Sequence, residues 1–206
     1  MDITQLIKQN WKEVIGVGII CGAVTVAFSL LLFPLQYEAE SQVLVIFGSE
    51  NVPDAYTAMR SAEKIGESVT TIVETSDFMA QSISNINEDG VLKKTIFNDL
   101  SVQARREKWA DSVDASLNYT SNILSISTFH KQKKSAEALN KLVLSTLIKN
   151  IDNYTGPKAK LKVVNSPLVS DYPVRPNLVL SFLVAFAFGF FSSVFFLVSK
   201  KKIFFS

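Results

Sequence analysis

Along residues 37–47, YEAESQVLVIF, apolar and polar side chains alternate. Tyr37, Ala39, Val43, Val45 and Phe47 fall on one face, and Glu38, Glu40 and Gln42 on the other. A period of two marks a half-buried strand. GSENVPD then breaks the pattern. From about Asp54 the period changes: Ala58, Ala62, Ile65, Val69 and Ile72 step by three and four, with Arg60, Glu63, Lys64, Glu67 and Glu74 on other faces. This predicts an amphipathic helix with Pro53 and Asp54 suited to its first turn. NINEDG interrupts it near residue 87. A second helical stretch is predicted from Val91 through Ile96 and Leu100, and the polar run SVQARREKWADSVDAS reads as helix or turn. Residues 117–129, LNYTSNILSISTF, return to strand, with Leu124, Ile126 and Thr128 opposite Ser125 and Ser127. HKQKKSAEALNKLVLSTLIKNI follows as a helix, its apolar face formed by Leu139, Leu142, Val143, Leu147 and Ile151, and Gly156 and Pro157 end it. The last predicted strand is KAKLKVV, with Leu161 and Val163 opposing Lys160 and Lys162. Its order (strand, helices, strand, helix, strand) predicts a layered α/β (α+β) domain with helices covering a small sheet, its first and last strands paired beside each other.

Two longer runs obey no such period. Residues 14–33 and 178–198 carry no charge, and about 20 apolar helical residues cross a bilayer. The first run is longer than the apolar core of a signal peptide and ends in the bulky LLLFPLQY, so it reads as a retained anchor. The expectation is a membrane protein with two transmembrane helices, 14–33 and 178–198. They flank an extracytoplasmic domain, 34–177, and leave short tails at 1–13 and 199–206.

Charge then orients the chain. Lys8 and Lys12 precede the first span, and Lys200, Lys201 and Lys202 follow the second. Positive flanks stay cytoplasmic, and long loops translocate largely regardless of charge, so Lys160, Lys162 and Arg175 do not reverse the reading. Both termini are expected in the cytoplasm. The positive excess belongs to the tails: the chain's net charge is +2, yet residues 34–177 hold 16 Lys and Arg against 17 Asp and Glu, a net of −1. A nucleic-acid binder carries its basic excess on the folded part, so no nucleic-acid partner is expected.

Candidate chemistry is sparse. The single cysteine, Cys21, lies in the first span, so no intramolecular disulfide forms. His130 is the one imidazole and has no cysteine with which to share a metal; a serine nucleophile would have to rely on it. Asp111 and Asp114 read as a solvated face. No phosphate loop and no metal-ligand spacing is present. The expectation is a protein with no catalytic residue, no cofactor and no metal. The prolines stand out instead. Pro167, Pro173 and Pro176 stiffen the approach to the second span, because proline fixes its own torsion and biases its predecessor to extended backbone. Tyr172 and Arg175 sit where interfacial anchors belong. Small residues, Gly16, Gly18, Gly22 and Ala23 in the first span and Ala185, Ala187, Gly189, Ser192 and Ser193 in the second, suit close helix packing.

This set of features resembles the polysaccharide co-polymerases, the Wzz-type chain-length determinants. The resemblance is carried by the membrane-adjacent YEAESQVLV, by the stretch NILSISTFHKQKKSAEALNKLV and by a proline motif at the second span. Pro173 and Pro176 match that motif's first two prolines and Ser181 its serine; Phe182 stands where its third proline is expected, and Gly189 remains of its glycines. The resemblance implies a compact member: a ring of identical subunits in a bacterial inner membrane, beside a polysaccharide polymerase and its lipid-linked glycan, setting chain length, assembly or export of O-antigen, capsule or exopolysaccharide. It also implies an alternative, an adaptor that activates a separate cytoplasmic tyrosine kinase through the lysine-rich tail. A two-span extracytoplasmic sensor is a third reading; such sensors continue into a signalling module, whereas eight residues follow the second span here.

Overall fold

The computed structural model describes residues 8–48, 54–86, 92, 97, 100–157 and 159–204. Two compact units appear. One is Gln36–Pro173; the other combines the segments Met1–Leu35 and Val174–Ser206.

The Gln36–Pro173 unit is a four-stranded sheet with helices against one face. Strand β1 spans Tyr37–Phe47, as its alternation predicts, and buries Ala39, Ser41, Val43 and Val45. Helix α1 spans Ala55–Glu74. The Asp54 carboxylate caps it, accepting the Thr57 N–H at 2.7 Å, and this bond holds the Asp54 carboxyl below its usual range. The helix stops at Thr75, whose extended backbone (ψ 152°) breaks the helical path and whose hydroxyl caps helix α2, Ser76–Ser84. The predicted break at NINEDG agrees with the end of α2 at Ser84, where Asn85 is the cap, and a further, unexpected interruption falls at Thr75, because a β-branched residue able to bond its neighbours' backbone offers an alternative to the helix. Of the helix predicted from Val91 through Ile96 and Leu100, only Leu92, Phe97 and Leu100 are described, and the rest lies outside the described residues, as does Pro53.

The polar run 101–116 divides into helix α3, Val102–Ser112, and strand β2, Val113–Asn118. The single strand expected at 117–129 is likewise corrected. Residues 119–122 reverse the chain into strand β3, Ile123–His130. The Asn118 Oδ1 accepts the N–H groups of Thr120 and Ser121, and Asn122 takes a positive φ of 53°. Asparagine tolerates both roles at low cost. Helix α4, Lys133–Thr155, ends at Gly156 with φ 83°, a conformation that suits glycine. Strand β4 spans Ala159–Val169.

The strand order is β2-β3-β1-β4, every pair antiparallel. Four strands therefore replace the three expected, and the first and last of them, β1 and β4, pair as anticipated. Helices α1 and α4 pack on the sheet. Between them lie Val69, Val73, Phe78, Leu139, Val143 and Leu147, which meet Val43, Val45, Leu124 and Ile126 of the strands. Trp109 closes this core from α3. Its indole N–H donates to the Val73 carbonyl at 2.9 Å, and its ring meets Phe78 edge-on. Val73 lies in the last turn of α1, whose carbonyls have no intrahelical donor, so the indole supplies one.

Strand β4 carries Pro167 inside the sheet rather than in a linker, which corrects its expected place. β4 is an edge strand, and its register slips twice against β1, between Gln42 and Val43 and between Glu40 and Gln42. Pro167 falls in the second irregularity. A missing N–H is tolerated at an edge bulge and not in a central ladder.

In the second unit, helix α5 spans Trp11–Leu32 and helix α6 spans Leu178–Phe204. Against the predicted 14–33 and 178–198, α5 starts three residues earlier and ends one residue sooner, and α6 runs six residues further.

Candidate functional site

Helices α5 and α6 are long and apolar enough to cross a membrane. Their outward residues are large and apolar: Leu31, Val179, Phe188 and Phe195 are each at least 71% exposed. A core helix of a soluble body would bury such side chains; these suit a lipid environment.

The two helices pack antiparallel. Phe186 of α6 lies over Gly18, Phe182 over Gly22, and Gly189 receives Cys21. A Cβ at Gly22 would stand 2.6 Å from the Phe182 ring and one at Gly18 would stand 2.9 Å from Phe186, so a side chain at either position would displace a phenylalanine ring. Phe182, Phe186 and Phe190 stack along one ridge at 6.2 and 6.4 Å. The structure thus brings Gly18, Gly22 and Gly189 together. It leaves Gly16 facing open space, Ala185 and Ser193 partly covered, and Ser192 exposed. The spacing of Gly18 and Gly22, four apart, was the signal that separates them from Gly16. Phe182, which departs from the proline expected there, turns out to be the residue that fills the Gly22 notch.

At the start of α6, Pro173 and Pro176 are half-buried, and the Arg175–Pro176 peptide is cis. Asn177 caps the helix: its Oδ1 accepts the Leu180 N–H at 3.0 Å. The Ser181 hydroxyl donates back to the Asn177 carbonyl at 2.9 Å. Ser181 therefore acts locally, at the cap. Asn177 was not singled out from sequence, although an asparagine just after a proline and just before an apolar run is a capping signal.

Within the α/β unit, the chain's two connections to these helices leave from one end of the sheet. Ala39 near the start of β1 stands opposite Val169 at the end of β4. Glu38 and Ser170 extend the pairing: the Ser170 N–H donates to the Glu38 carbonyl at 2.8 Å, and the Glu38 N–H to the Ser170 hydroxyl at 3.0 Å. From α4, Lys133 donates to the Asp171 carbonyl at 2.8 Å and lies over the Tyr37 ring. Asn140, fully buried, donates to the carbonyls of Ala39 and Ile126 at 2.7 and 2.8 Å. The exit strands are thus tied to the sheet and to α4.

His130 sits at the end of β3, half-buried. Burial lowers its pKa, with Lys108 and Lys131 adding to the effect, and its Nδ1 accepts the Gln132 N–H at 3.2 Å. Among the described residues, no group of three His, Cys, Asp or Glu side chains is placed to hold a metal. No protein-family model matches the chain, and no curated protein matches its sequence.

Proposed function

We propose that this protein is a non-enzymatic membrane scaffold that regulates the chain length, assembly or export of a bacterial surface polysaccharide. Helices α5 and α6 cross the inner membrane, both termini lie in the cytoplasm, and the α/β unit stands outside. Several copies assemble as a ring beside the polymerase and its lipid-linked product, and the geometry of that ring, rather than a reacting group, limits growth of the polymer. The observation that carries this reading is the joined exit: β1 and β4 pair where the chain leaves for the two apolar helices. The two connections leave the body at adjacent points, which Lys133 and Asn140 pin to α4. The antiparallel helix pair, with its fitted glycines, returns the chain to the side from which it came.

The test is the polymer itself. Deleting the gene should change the length distribution of the surface polysaccharide on gels. The double variant Pro173→Ala, Pro176→Ala should shift that distribution while the protein still inserts. An unchanged profile after deletion defeats the reading.

A further inference from the structure

The side of the sheet opposite α1 and α4 holds a groove of about 520 Å³ along β1 and β4, a size in the range of small-molecule sites. Three side chains project into it from alternate positions of β1, Glu38, Glu40 and Gln42, about 6.8 Å apart along the strand. From β4 and the residue after it come Asn165, Leu168 and Ser170. The bulge around Pro167 makes the groove possible, because it sets Leu168 opposite Glu40 and Asn165 opposite Gln42, on the same face.

The polar groups are already oriented. Asn165 Nδ2 donates to Gln42 Oε1 at 2.7 Å, and Gln42 Nε2 donates to Glu40 Oε1 at 3.1 Å. The Ser170 hydroxyl accepts the Glu38 N–H and keeps its own proton to donate. Among the described residues neither the Glu38 carboxylate nor Glu40 Oε2 has a partner. Leu168, 78% exposed, supplies an apolar wall. The lining contains two carboxylates and no Lys, Arg or His. Donors and acceptors in a row, beside the apolar Leu168 and Val169 and with no cation in the lining, match a ligand that carries many hydroxyls along an extended chain and no negative charge.

We propose that this groove binds a neutral or amino-bearing saccharide chain lying along β1. Choosing a saccharide among hydroxyl-rich ligands rests on the function proposed above. Carboxylates accept pairs of neighbouring hydroxyls, the amides of Gln42 and Asn165 supply donors, and Leu168 covers the C–H face of a ring. Glu38 and Glu40 repel uronate and phosphate groups.

The experiment uses the full chain in lipid nanodiscs, with saturation-transfer NMR against three probes: maltohexaose, a chitosan hexamer and a galacturonate hexamer. The expected result is binding of the first two and at least tenfold weaker binding of galacturonate. Glu40→Ala with Gln42→Ala should weaken maltohexaose binding at least tenfold. Asp114→Ala with Ser116→Ala, on β2 of the same face but outside the groove, should leave it unchanged. Emission from the buried Trp109 checks that each variant is folded, and Leu168→Asp serves as a second groove variant should the first misfold. Equal binding by wild type and groove variants overturns the proposal, as does galacturonate binding as tight as maltohexaose, or no binding of any probe. If the groove variants instead abolish cross-linking between copies and leave sugar binding intact, the groove is a subunit contact and the proposal fails. The two readings separate in cells. Length control that persists in the Glu40, Gln42 variant removes the groove and keeps the scaffold. Groove binding in a protein whose deletion leaves the polymer unchanged removes the scaffold and keeps the groove.

Discussion

Asn140→Asp is an isosteric change that converts a double donor into an acceptor. Asn140 is fully buried on α4, and its Nδ2 supplies protons to the carbonyls of Ala39 on β1 and Ile126 on β3. An aspartate there faces two carbonyl oxygens. It folds by holding a proton, and one O–H then serves one of the two carbonyls. The lost hydrogen bond costs about 1 kcal/mol. Keeping a carboxyl with an ordinary pKa of about 3.9 protonated at pH 7 costs a further ~4 kcal/mol, at about 1.4 kcal/mol per pH unit. The folded-state pKa is raised above the unfolded value, so the folded state binds the extra proton and the variant's stability falls as pH rises from about 4. The total is roughly 1 kcal/mol at pH 4 and roughly 5 kcal/mol at pH 7, comparable with the whole stability of a domain. With a urea slope of about 1.5 kcal/mol/M, the midpoint should drop by about 0.7 M at pH 4 and about 3 M at pH 7 relative to wild type at the same pH. Trp109 is 1% exposed and reports unfolding of the α/β unit by emission; Trp11→Phe removes the other tryptophan as background. A variant with the wild-type midpoint at pH 7, or with a loss that does not grow with pH, refutes the account of Asn140 as a sealed donor to two strands.

Two further outcomes follow from other parts of the molecule. Gly22→Val places a branched side chain against the Phe182 ring, whereas Gly16→Val enters open space; maleimide should label Cys21 several-fold faster in the first variant and at the wild-type rate in the second, and equal rates would contradict the helix pairing. Tyr154 has its pKa raised to about 12, by burial first and then by its hydrogen bond to Asp77 at 2.7 Å. Its contribution is present below about pH 10 and is lost as pH rises toward 12. Absorbance at 295 nm should show a tyrosine step near pH 12 that Tyr154→Phe removes, and wild type without that step would refute the Asp77 contact.

Local periodicity carried much of the fold. The strand at 37–47 and the buried faces of α1 and α4 are written in spacings of two and of three and four, because one side of each element must leave water. The two apolar helices are legible for the related reason that no other arrangement of about 20 uncharged residues suits water. The errors fell where side chains compete with the backbone. Thr75 splits a helix by capping its successor, and the run from Asn118 to Asn122 folds an apparent single strand into a hairpin. Pro167 looked like a linker residue because a proline inside a strand is tolerated only at an edge bulge, and edge position is a property of the finished sheet.

The candidate sites divide along the same line. The sequence by itself determined that the chain has two lipid-suited helices around an amphipathic body, and which residues are small or stiff. Tertiary structure alone decided that Gly18 and Gly22 meet phenylalanine rings while Gly16 meets nothing, that Asn140 and Trp109 satisfy carbonyls of distant elements, and that Glu40 and Asn165 share one groove. Periodicity depends on neighbours a few residues away and is readable from order alone. Pairings across 36 and 123 residues, such as Trp109 with Val73 and Asn165 with Gln42, exist only once the sheet has closed and set its register.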